Sequence, residues 1–77
     1  MNHQSVGYFL SVEEERSFTK AAQRLYLSQQ ALSASIAALE REVGAALFER
    51  TSPLKLTYAG ERFLPYAHQL IWIHRLM

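Results

Sequence analysis

Two amphipathic segments separated by only two residues constrain this chain more than any other feature. Phe18, Ala21, Ala22 and Leu25 recur at i, i+3, i+4 and i+7, which lines one face of a two-turn helix. A second helix opens at Ser28, a residue type preferred as an N-cap, and carries Leu32, Ile36, Leu39 and Val43 on one face. It ends at Gly44, which takes the left-handed closing conformation without a side-chain penalty. Only Tyr26 and Leu27 join the two. A connection this short makes the helices cross steeply, and Ala21 with Ala22 lets their backbones approach. Leu25, Leu27, Leu32 and Ile36 are then expected to fill the corner. Glycine is frequent at such a turn; here Tyr26 stands in its place.

Steep crossing across a tight turn is the helix-turn-helix arrangement, here over about residues 18–37, whose second helix enters the DNA major groove. Ahead of it, Val6, Phe9 and Leu10 predict a helix capped by Asn2 that runs into Glu13-Glu14-Glu15 and stops near Arg16-Ser17. Behind it the period changes. Leu54-Lys55-Leu56-Thr57 alternates apolar and polar residues and can pair with Leu47-Phe48-Glu49-Arg50 across Thr51-Ser52-Pro53 as a small β-hairpin. A last helix is predicted from a Thr57 cap to Met77, with Pro65 expected to bend it near Glu61. The class is mainly α, a three-helix core with a hairpin and a long C-terminal helix.

The chemistry points to the start of the third helix. Gln29 and Gln30 occupy its first turn, where free N–H groups and the helix dipole favour a phosphate. Glutamine can both donate to and accept from adenine's major-groove edge, and Ser33 lies four residues after Gln29 on the same outward face. No charge falls between Ser28 and Leu39, so electrostatic pull must come from the flanks. Arg16, Lys20 and Arg24 follow one another without an intervening acid, and Arg50 and Lys55 lie on the hairpin. Glu13–Glu15, Glu40 and Glu42 are expected on the opposite side. The net charge is only +1, so segregation of charge, not its total, must draw in nucleic acid.

These residues resemble the LysR-type transcriptional regulators. The resemblance rests on Phe9-x-x-Val12, Ser17-Phe18-Thr19-x-Ala21-Ala22, Leu25, Ser28-Gln29, Ala31-Leu32-Ser33, Ile36, Leu39-Glu40, Gly44, Leu47-Phe48-Glu49-Arg50 and Leu56-Thr57-x-Ala59-Gly60, and covers most of residues 1–64. It implies a winged helix-turn-helix DNA-binding domain over 1–58, the hairpin serving as wing, and a linker and dimerisation helix over 59–77. It further implies double-stranded operator DNA as partner, a homodimer (a tetramer being open to the full-length protein), and a small-molecule effector bound by a C-terminal domain beyond this chain. By position, Gln29 and Ser33 match base-reading residues and Ser28 a cap and phosphate contact. Ser17, Thr19 and Lys20 match the start of the helix that straddles the backbone, and Arg50 matches a wing-base contact. Gln30 stands where the family has proline, and Ala34-Ser35 where arginine and glutamine are common, so fewer bases should be read directly.

Leu64, Ala67, His68, Ile71, Trp72 and Arg75 on the last helix are the expected dimer interface, since three short helices and a hairpin cannot cover both sides of so long a helix. No metal or cofactor is expected: the chain has no cysteine, His68 and His74 point to different helix faces, and His3 stands alone. No triad or glycine-rich phosphate loop is recognisable, so an enzyme is not expected. No apolar run approaches the ~20 residues of a membrane span, and the N-terminus lacks the features of a secretion signal, which makes the expected location cytoplasmic. The rival reading is a winged helix used for protein–protein assembly, which near-neutral charge would suit.

Overall fold

A computed structural model describes residues 1–77, the whole chain. In chain order it comprises α1 (His3–Glu15), α2 (Phe18–Leu25), α3 (Gln29–Val43), β1 (Phe48–Glu49), β2 (Lys55–Leu56) and α4 (Tyr58–Leu76). Each helix begins where a side chain takes up otherwise unpartnered N–H groups. The Asn2 side chain accepts from the Ser5 amide at 2.8 Å while the Ser5 hydroxyl donates back to the Asn2 carbonyl at 3.0 Å. Ser17 accepts from the Lys20 amide, Ser28 from Ala31, and Thr57 from Gly60. The closures are left-handed: Arg16, Tyr26 and Gly44 have φ of 53°, 57° and 87°. Tyr26 thus supplies the turn conformation that glycine would supply more cheaply.

One apolar core joins all the elements. Val6, Phe9 and Val12 from α1 meet Ala21 of α2 and Leu32, Ile36 and Leu39 of α3, all of them buried. Leu25 and Leu27 close the corner only partly, as half-buried residues at its margin. Phe48 ties the hairpin to the helices. Its ring lies 5.2 Å from Phe9 and, edge to face, 5.8 Å from Phe18.

The wing is shorter than the alternation predicts: Phe48 pairs with Leu56 and Glu49 with Lys55, and no further residues enter the ladder. Two residues per strand cannot hold themselves together, and anchors at the base compensate. The Glu40 carboxylate accepts from the Leu47 and Phe48 amides at 2.6 and 3.4 Å. Thr57 donates its hydroxyl to the Ala46 carbonyl at 2.6 Å and its amide to the Leu47 carbonyl at 3.0 Å. Gly60 packs against this strand start so tightly that a Cβ there would stand 2.1 Å from the Leu47 carbonyl oxygen.

α4 runs unbroken through Pro65 and lies along α1. The residues expected at a dimer face do not all lie on one open surface. Ala67 is completely buried in the core, and Leu64 and Ile71, both half-buried, pack against it. His68, Trp72 and Arg75 are exposed. A second apolar stripe, Tyr66, Leu70, Ile73 and Met77, stands open a fraction of a turn away, with Trp72 and Leu76 beyond it. His3 is not isolated either; its ring stacks on His74 at 3.8 Å and ties the start of α1 to the end of α4. No helix is long and apolar enough to cross a membrane.

Candidate nucleic-acid interface

The start of α2, the first turns of α3 and the loop of the wing enclose an open cleft of about 350 Å³. Into it face Arg16 and Ser17 before α2, Phe18 and Thr19 in its first turn, Gln29 and Ser33 on α3, and Arg50 to Leu54 of the wing. Five of the residues singled out from the sequence, Ser17, Thr19, Gln29, Ser33 and Arg50, therefore share one concave surface. The starts of α2 and α3 are joined there directly: the Thr19 hydroxyl donates to Gln29 Oε1 at 3.1 Å.

Arg50 owes its position to an aromatic ring. Its guanidinium carbon sits 4.1 Å from the centroid of Phe18, a cation–π contact that keeps the planar donor fork beside the cleft while leaving its outward N–H groups free. Phe18 is half-buried with its edge on Phe48, so the platform is part of the core. The role of Phe18 is invisible in the periodicity, which marks it only as apolar.

Ser28, Gln30, Lys20 and Lys55 are exposed but do not line the cleft. Ser28 spends one lone pair on the cap and keeps its hydroxyl proton for a ligand. Lys55 stands across the ladder from Glu49. Arg24 has acidic partners that the sequence did not indicate. Its guanidinium donates to Glu14 at 2.8 Å and to Glu15 at 3.2 Å, clamping α2 to α1. The hydrogen bond it donates to Glu14, and then the one it donates to Glu15, raise its pKa, so it is a permanent cation already matched by two acids. Charge is therefore less cleanly segregated than linear order suggests. Even Arg16, which lines the cleft, lies 3.8 Å from Glu13. The distribution that remains is still directional. Glu40 is taken by the wing amides and Glu42 by the chain's own amino terminus, leaving Arg16 and Arg50 as the charges on the cleft.

Comparison with known proteins bears on this geometry. The chain is 47% identical over 72 residues to the HTH-type transcriptional regulator TfdT of Cupriavidus pinatubonensis, which covers 92% of this chain and 32% of that protein. It is 44% identical over 77 residues to the HTH-type transcriptional regulator HdfR of Yersinia pestis, covering 99% of this chain and 26% of HdfR. The chain thus spans about a third or less of these relatives. Its fold superposes with a TM-score of 0.92 on the crystal structure of the BenM DNA-binding domain in complex with catB site 1 DNA, at 44% identity, over 100% of this chain and 88% of that one. Residues 3–61 match the model of the bacterial regulatory helix-turn-helix proteins of the lysR family; with the winged helix-turn-helix in place around the cleft, the chain belongs to that family.

Proposed function

We propose that this chain is the DNA-reading head of a bacterial transcriptional regulator, not an enzyme, and that it binds duplex operator DNA sequence-specifically in the cytoplasm. The observation that carries this is the single cleft in which the α3 residues Gln29 and Ser33 stand between Arg16 and Arg50, on a fold that superposes on a relative solved with DNA. α3 enters the major groove by its uncharged first turns, where Gln29 and Ser33 meet base edges. Arg50, held over Phe18, and Arg16 take the phosphates that border the groove, and these contacts fix the register without reading sequence. Ser17, Lys20, Ser28 and Gln30 add polar contacts along the same strand, and Lys55 adds one at the wing. Arg24 acts through the α1–α2 clamp that sets the position of α2.

Two copies would pair through α4, and their recognition helices would then read half-sites ~10 base pairs apart, or a multiple of that. The greater length of the relatives is where an effector-binding domain, and any tetrameric contacts, would lie. Selection from random duplexes should return an inverted repeat with that spacing. If the dimer makes ~6–8 phosphate contacts, log K against log salt should fall with a slope of about −5 to −7. A flat salt response with no selected motif would instead favour the protein-assembly reading.

A further inference from the structure

We propose that Thr19 is a positioning residue: its hydroxyl holds the Gln29 carboxamide in one place and so sharpens base preference at the position Gln29 reads. This rests on the DNA-reading function above and assigns Thr19 a task other than the backbone contact its place at the start of α2 suggests.

A glutamine carboxamide has two unlike ends, an oxygen that accepts and an NH2 that donates. Its terminal torsion is broad and roughly two-fold, so an exposed glutamine turns over freely. Untethered, it samples many placements before it meets a base, and the ordering that a bidentate contact needs must then be paid on binding. Gln29 is exposed, and no other side chain of the protein bonds its carboxamide. Thr19 alone tethers it, donating from the neighbouring helix at 3.1 Å. Because a hydroxyl can donate to Oε1 or accept from the NH2, the tether fixes where the carboxamide lies and leaves the base to select its outward end. The geometry behind this contact is built in. Ser17 caps α2 by accepting from the Lys20 amide at 3.1 Å, which sets the turn from which Thr19 projects, and Ser28 sets the first turn of α3 in the same way. With Oε1 engaged by Thr19, both NH2 protons and the second lone pair of the oxygen remain for the base. In free protein, water competes with the Thr19 bond. Inside the groove that water is displaced, the local dielectric falls, and the lock tightens when reading takes place.

The experiment compares the wild-type chain, Thr19→Val, Thr19→Ser, Thr19→Ala and Gln29→Ala on the selected operator, on operators with every base pair substituted singly, and on random duplex. Gln29→Ala identifies the base pair concerned. At that pair, Thr19→Val should lose about 5- to 20-fold of discrimination, while affinity for random duplex stays within about 2-fold. Thr19→Ser, which keeps the hydroxyl, should retain most of the preference. Thr19→Ala should behave like valine, so a folding defect peculiar to one replacement cannot imitate the result. An equal loss on all duplexes would overturn the proposal and return Thr19 to a phosphate contact; an unchanged preference at the Gln29 position would overturn it as well. A wild-type chain without base preference anywhere would remove the DNA-reading function itself, and that outcome is seen before any variant is compared.

Discussion

In the proposed complex, a residue identity and its surroundings divide the labour of binding at Arg50. The guanidinium supplies charge, and the Phe18 ring 4.1 Å beneath it supplies direction. Because a phosphate contact is indifferent to sequence, Arg50→Ala should weaken every duplex alike. It should also reduce the salt slope by roughly 0.9 for each protomer; a loss confined to one operator in the same titration would contradict this. Gln29→Ala should do the reverse, costing about 1–3 kcal/mol at one base pair and leaving random-duplex affinity nearly intact. Tyr26 tests the turn separately from the interface. It is 96% exposed and takes φ 57°, so its side chain gains no burial while its backbone bears the left-handed strain. Tyr26→Gly should therefore stabilise the chain by about 1 kcal/mol, read as a higher urea midpoint at unchanged m. At this scale the sequence was legible for Gln29 and Ser33, because the helical period alone places them outward. It did not show the ion pairs of Arg24: its partners Glu14 and Glu15 precede it in another helix, and no local spacing reveals a contact made by helix crossing.

Between elements, contacts that look incidental hold the wing. A hairpin of two residues per strand must borrow its rigidity, and it borrows from α3 through Glu40 and from α4 through Thr57 and Gly60. Glu40→Ala should cost about 1.5–3 kcal/mol, since two amides lose a charged acceptor in a partly buried place, and urea unfolding checks this. Gly60→Ala forces a methyl to within 2.1 Å of a backbone carbonyl that has no rotamer to escape into. Its cost should be about 3 kcal/mol or more, with a matching fall in thermal midpoint. The alternation of Leu54 to Thr57 showed that a hairpin exists, and the caps Asn2, Ser28, Thr57 and Gly44 showed where helices begin and end. Anchoring was hidden. Glu40 reads from sequence as a solvated acid, and its use as an acceptor for strand amides appears only once α3 has been placed beside the wing.

For the molecule as a whole, the question is which side of α4 is left for a partner. Periodicity marks Leu64, Ala67 and Ile71 as one face, and a face that covers a partner has the same spacing as one that covers α1. In this chain Ala67 is fully buried, and the half-buried Ile71 packs toward Gly7 of α1. The open stripe is Tyr66, Leu70, Ile73 and Met77, of which Leu70, Ile73 and Met77 border an apolar groove of about 330 Å³ shared with Met1, His3 and Val6. A charge at Ile71 would therefore injure the monomer before it tested assembly. Ile73 is the cleaner probe, being 53% exposed and on the free stripe. Ile73→Glu should leave the helical circular dichroism and the thermal midpoint nearly unchanged and yield a monomer in sedimentation equilibrium. Separated reading heads keep their own cleft but lose the second half-site. The salt slope should then fall to about half, near −3, and the spacing preference should vanish while the half-site motif survives. A variant that still sediments as a dimer would put the partner on another surface; a monomer that retained the spacing preference would show that DNA, not α4, brings the two heads together.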